Sequence, residues 1–112
     1  MAFKYFKTFS KSSLADGATY EDSWTSDEPL FIKRIYLLRG DGNSFTDSLF
    51  YFKIVGDVYT HPQVPCKVLG PQVNVTPELN IPFPKGAKLD FTLKNQEGSA
   101  QDVYVVFEVE TP

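Results

Sequence analysis

Hydrophobic and polar residues alternate along most of this chain with a period of two. The clearest case runs from Lys88 to Lys94, where Leu89, Phe91 and Leu93 take one side and Lys88, Asp90, Thr92 and Lys94 the other. Phe50, Phe52 and Ile54 repeat the pattern within 48–55, and Val103, Val105, Phe107 and Val109 repeat it within 102–109. Successive side chains of a β-strand point to opposite faces, so each stretch predicts a strand with one face on a core. A longer strand is expected over 30–39, entered after Pro29, whose missing N–H suits a strand start. Residues 19–25 read as a polar strand. Residues 4–10 fit a helical turn through positions 3, 6 and 9, but their Tyr, Phe and Thr favour a pleated surface.

Turn chemistry separates these runs. Leu14-Ala15-Asp16-Gly17, Gly40-Asp41-Gly42-Asn43 and Pro84-Lys85-Gly86 read as turns, and Gly56-Asp57 has the spacing of a tight hairpin leading into 58–60. Six prolines between His61 and Pro84 call for irregular loops or edge strands there, with brief strands at 67–69 and 79–81. No ten-residue stretch carries helical spacing. The pattern predicts an all-β protein of about eight strands: an antiparallel two-sheet sandwich, laid out as a single jelly roll over residues 1–112. Its expected core holds Phe31, Ile35, Phe50, Phe52, Leu89, Phe91, Val105 and Phe107.

Length and composition narrow the classes. With 112 residues, 42% apolar and 22% charged, the chain has material for one domain and one core. No apolar run approaches the length of a membrane span. Lys4, Lys7 and Lys11 are spread among aromatics without a cleavage-like site, so no signal peptide is expected. A net charge of −3 with only two arginines, Arg34 and Arg39, argues against nucleic-acid binding, which needs clustered cations against phosphates. One cysteine, Cys66, and one histidine, His61, exclude a disulfide framework and a Cys/His zinc site.

The order of features then resembles a known group. Asp16-Gly17-Ala18-Thr19 precedes Glu28–Ile35, and Glu78-Leu79-Asn80-Ile81-Pro82 precedes Lys85-Gly86 and Leu89-Asp90-Phe91. This layout resembles that of the small single jelly-roll proteins of virus particles. The resemblance is architectural and spans most of the chain; no functional residue comes with it. It implies a virion structural protein (coat, cement or spike component) that acts by self-assembly, located in the virion, or in the cytoplasm if the chain is not viral.

Motifs with chemical meaning are few. Asp16, Glu21, Asp22, Asp27 and Glu28 could supply calcium oxygens, but flanking a strand they fit a solvated acidic face better. Asp41-Gly42-Asn43 with Asp47 imitates part of a calcium loop without its later bidentate Glu. Arg39-Gly40-Asp41 spells an adhesion tripeptide, yet Gly40 has a sufficient role in a strand-ending turn. Asn74-Val75-Thr76 matches a glycosylation acceptor but is followed by Pro77. Glu108 and Glu110 share one face of the last strand, where a solvated surface explains them better than glycosidase chemistry. His61 has no identifiable partner, and Cys66 reads as a small buried hydrophobe. No nucleophile–base pair, phosphate-cradling loop or metal set emerges. The chain reads as a non-enzyme without an organic cofactor.

The aromatics are the unusual feature: ten Phe, six Tyr and one Trp. A core of this size cannot hide every ring, so some are expected at a covered surface. Phe3, Tyr5, Phe6 and Phe9 crowd one unprotected N-terminal strand, which predicts contact with a second copy of the chain. Tyr20, Trp24, Tyr51 and Tyr59 raise the alternative of a non-catalytic carbohydrate-binding module, with Trp24 and Tyr59 as stacking platforms. The expected partners are therefore copies of the chain or other virion proteins, with a glycan as the alternative.

Overall fold

The alternating stretches pair into two antiparallel sheets. A computed structural model describes residues 4–42, 45, 47–54, 57–58, 64–65 and 78–112. Seven strands are three residues or longer: β1 (Lys4–Leu14), β2 (Thr19–Thr25), β3 (Leu30–Arg39), β4 (Leu49–Ile54), β7 (Ile81–Phe83), β8 (Lys88–Lys94) and β9 (Gln101–Glu110). Two-residue ladders, β5 (Asp57–Val58) and β6 (Val64–Pro65), pair with β4. One sheet runs β1-β9-β3-β7 and the other β2-β8-β4-β5. Among the described residues there is no helix. The brief strand expected at 67–69 lies outside the described residues, and the one expected at 79–81 sits two residues later, at Ile81–Phe83.

The inner faces close on one aromatic and aliphatic core. Phe50, Phe52 and Ile54 of β4, Leu89, Phe91 and Leu93 of β8, and Val103, Val105, Phe107 and Val109 of β9 are all buried, as their alternation predicts. Each such side chain contributes about 1.5–3 kcal/mol relative to exposure. Rings meet edge-on at its centre: Phe9 lies 5.1 Å from Phe91 and 5.9 Å from Phe107, and Trp24 lies 5.0 Å from Phe83. Such tilted and T-shaped pairs suit the ring quadrupoles.

Phe31 is a correction to the expected core. It is only half-buried, whereas Leu30 and Ile32 face inward with Ile35 and Leu37. The cause is a bulge. Ile32 opposes Val109, yet the next partner of β9, Glu108, is opposed by Arg34, so Lys33 is an extra residue. Counting by twos backward from Ile35 crosses this residue and lands on the wrong face. The Lys33 carbonyl accepts from Leu79 N at 2.8 Å, and Lys33 Nζ donates to Asn80 Oδ1 at 2.7 Å, which ties the bulge to the entry of β7.

β1 lies at the edge of its sheet and carries lysines between its aromatics. Alternation places Lys7 and Lys11 with Tyr5 and Phe9 on the inner face, opposite Phe107 and Val103. Lys7 Nζ lies 5.6 Å from the Phe9 ring centroid and 5.9 Å from that of Trp24. A foreign strand added to this edge would have to cover both ammonium groups. Near its end the register shifts between Lys11 and Leu14, Ser13 adopts φ 52°, and Ser13 N donates to Asp102 Oδ1 at 2.8 Å. That irregularity twists the edge away from regular pairing.

At one end of the sandwich, polar side chains lock three loops together. Buried Asn95 donates from Nδ2 to the carbonyls of Leu14 and Ser99, while its Oδ1 accepts from Glu97 N. Glu97, with a side chain only 1% exposed, accepts at Oε2 from Asp47 N, Ser48 N and Ser48 Oγ, and meets Arg39 Nη1 at 3.5 Å. Asp16 Oδ1 accepts from Gly98 N at 3.0 Å.

Candidate functional site

Among the described residues, the outer faces of the two sheets differ in chemistry. On the β1-β9-β3-β7 sheet, Glu108, Val106 and Tyr104 of β9 point away from the core. Register sets Phe6, Thr8 and Ser10 of β1 on one side of them, and Arg34, Tyr36 and Leu38 of β3 on the other. Phe6 is 59% exposed and Tyr104 38%; both large exposed hydrophobics found among the described residues lie on this face. The Phe6 and Tyr36 rings, 6.2 Å apart, come from strands either side of β9 and so reach across it.

Beneath those rings sits an ion pair. Arg34 Nη1 donates to Glu108 Oε2 at 3.0 Å, and Glu108 is only 6% exposed. The solvated setting expected for Glu108 is corrected here: it is buried and paired with Arg34. The hydrogen bond to Glu108 holds the Arg34 guanidinium further above its already high range. The Arg34–Glu108 pair thus sits amid Phe6, Tyr36, Leu38, Tyr104 and Val106, with the exposed Thr8 and Ser10 of β1 on the same face.

The other outer face is polar and concave. On the β2-β8-β4-β5 sheet, Tyr51, Thr92 and Glu21 form one cross-strand row, and Lys53, Asp90 and Ser23 the next. These six, with Asp22 and Phe91, line an open depression of about 600 Å³.

The residues singled out in the sequence divide between these settings. Tyr5 and Phe9 are half-buried against the core, and the Tyr5 hydroxyl donates to Glu28 Oε1 at 3.3 Å. Burial first, then the Glu28 carboxylate, raises the Tyr5 pKa above its ordinary value. Phe6 alone of the described N-terminal aromatics points outward; Phe3 lies outside the described residues. Trp24 is half-buried, its ring engaged by Phe9, Phe83 and Phe107 and overlain by Lys7. Tyr59, His61, Cys66 and Asn74 lie outside the described residues.

The remaining motifs are occupied locally. In the Arg39-Gly40-Asp41 tripeptide, Arg39 Nη2 meets Asp41 Oδ2 at 3.1 Å and Arg39 also reaches Glu97, so the charges are turned onto the protein. Gly40 is there for space, since a Cβ would come within 2.7 Å of Asp102 Cβ. Asp22 accepts from the Tyr20 hydroxyl and from Ser23 N. Among the described residues, no group of three or more His, Cys, Asp or Glu side chains converges as a metal would require.

Sequence reading missed Tyr36, Tyr104, Val106 and the Arg34–Glu108 pair. A signal existed. Ile35-Tyr36-Leu37-Leu38 and Val103-Tyr104-Val105-Val106-Phe107 are apolar at consecutive positions, the mark of a strand covered on both faces. Compared with protein-family models, curated proteins and solved structures, the chain matches none.

Proposed function

We propose that this chain is a non-catalytic structural subunit, a single jelly-roll domain that associates with copies of itself in the coat or a projection of a virus particle. The observation that carries the reading is the outer face on which Phe6, Tyr36, Leu38, Tyr104 and Val106 surround the Arg34–Glu108 ion pair, with both exposed large hydrophobics among the described residues. Apolar surface of this kind on a small sandwich is stabilised when another surface covers it. A second copy is the favoured cover. Two chains of net charge −3 repel, and they approach at least cost through the face where Arg34 and Glu108 already cancel. The edge strand β1 offers a poorer route, because Lys7 and Lys11 stand on its inner side.

Strand pairing supports the jelly-roll part of the proposal. β1 pairs with β9, β2 with β8, β3 with β7, and β4 with β5 and β6. For β1–β9, β2–β8, β3–β7 and β4–β6, strands equally far from the two ends of the series are partners, as in one long antiparallel ribbon folded across two sheets. The viral assignment adds to this the layout resemblance of the sequence and is an argument by fold analogy.

Sedimentation equilibrium over a wide concentration range tests the function. The expected result is reversible growth beyond one chain's mass, as interfaces of roughly 1,200–2,000 Å² with aromatic anchors give. A species that stays at the mass of one chain at the highest concentration overturns the proposal.

A further inference from the structure

We propose that the depression on the outer face of the β2-β8-β4-β5 sheet is a saccharide site, with the Tyr51 ring as its stacking surface and Glu21, Asp90 and Lys53 as its polar anchors. The site is distinct from the association face, which lies on the opposite sheet.

Three features favour a ligand over a plain solvated surface. First, the surface is concave. Asp90 and Thr92 of the central strand β8 form the floor between Glu21 and Ser23 on β2 and Tyr51 and Lys53 on β4. Second, the ring and two of the three anchors are uncommitted. Among the described residues, the side chains of Glu21, Tyr51 and Lys53 enter no hydrogen bond or ion pair. Lys53 is the cross-strand neighbour of Asp90, yet the Asp90 carboxylate lies 3.7 Å from Lys88 instead. Third, spacing matches one sugar ring. Strands about 4.8 Å apart and same-face residues about 6.7 Å apart put the six side chains over a patch of roughly 10 by 7 Å.

The chemistry selects the class. A pyranose presents hydroxyls that carboxylates accept and an ammonium donates to, and an apolar C–H face that lies on an aromatic ring. Glu21, Asp90 and Lys53 with the Ser23 and Thr92 hydroxyls supply both polarities, and Tyr51 supplies the ring. Phosphates and acidic sugars are disfavoured by the lining itself, which holds Glu21, Asp90 and, at the margin, Asp22 against Lys53, with Lys88 outside the lining and drawn onto Asp90. A divalent cation has no converging set of ligands among the described residues. The expected ligand is a neutral or amino-bearing pyranose at the end of a glycan.

Titration of the isotope-labelled full chain with a panel of glucose, galactose, glucosamine and sialyllactose, followed by amide chemical shifts, tests this. The expected result is saturable shifts of Glu21, Tyr51, Lys53 and Asp90 amides with a neutral or amino sugar, at dissociation constants in the range of about 0.1–10 mM. Tyr51→Ala is expected to weaken that binding by at least about tenfold. Its melting temperature and concentration-dependent mass should stay those of the wild type, so loss of the site is separable from loss of fold or association. Glu21→Gln serves as a second variant with no ring removed and is expected to weaken binding as well. Absence of shifts with every sugar to about 20 mM, binding of the acidic sugar alone, or binding untouched by both variants would overturn the proposal.

Discussion

Glu97 shows how much one side chain can organise. Its carboxylate gathers Asp47 N, Ser48 N, Ser48 Oγ and Arg39 at a site closed to water, with Ser48 Oγ in turn accepting from Gln96 N. Removing it leaves the buried Ser48 donors without an acceptor and Arg39 without its inner partner. Glu97→Ala is therefore expected to lose about 3 kcal/mol or more, read as a lower urea midpoint at unchanged slope. Glu21→Ala, on an exposed strand, should stay within about 0.5 kcal/mol. Tyr20 makes a pH prediction. Burial, and then the hydrogen bond to Asp22, push its pKa up to about 12 from the ordinary 10.0. The folded protein thus holds the phenolic proton more tightly than the unfolded chain does. The stability this confers is complete below pH 10 and is lost as pH rises through about 12. Spectrophotometric titration should show the Tyr20 phenol ionising late, as Tyr5 also does, and Asp22→Asn should bring the Tyr20 step alone earlier.

Elements were legible where the backbone ladder is regular. The bounds expected for 19–25, 30–39 and 88–94 are those of β2, β3 and β8. In β4, β8 and β9 a period of two also named the inward residues, because nothing interrupts it. In β3 it failed at Phe31, where Lys33 adds a residue that no local composition announces: the bulge is fixed by β9 on one side and by Leu79 on the other. Deleting Lys33 is accordingly expected to be far worse than replacing it. Lys33→Ala loses an exposed hydrogen bond worth about 1 kcal/mol or less, whereas the deletion turns Leu30 and Ile32 outward and should abolish cooperative unfolding. The edge of β1 carries a further consequence of register. It puts exposed Lys7 and Lys11 on the side of the strand that faces the core. Lys7→Val with Lys11→Val should turn a protected edge into a pairing one, seen as rising light scattering over hours at a concentration where the wild type stays clear.

For the whole molecule, sequence alternation points inward, to the core, and is nearly silent about what the outward faces do. Apolar outward residues come from three strands that are distant in sequence: Phe6, Tyr36 and Tyr104 meet only once β9 lies between β1 and β3. The depression around Tyr51 is likewise assembled from β2, β4 and β8, and its residues carry no spacing motif. The association proposal makes a direct claim about one surface. Phe6→Thr with Tyr104→Thr removes both exposed rings while keeping strand-favouring residues, and should weaken self-association by tenfold or more with little change in melting temperature. The most direct test maps the contact itself: amide chemical shifts and line widths of the wild-type chain, followed from micromolar to millimolar concentration. The account predicts concentration-dependent changes at Phe6, Arg34, Tyr36, Tyr104, Val106 and Glu108, with the Tyr51 face unaffected. Changes confined to the β1 edge or to the Tyr51 depression, or none at any concentration, would contradict it.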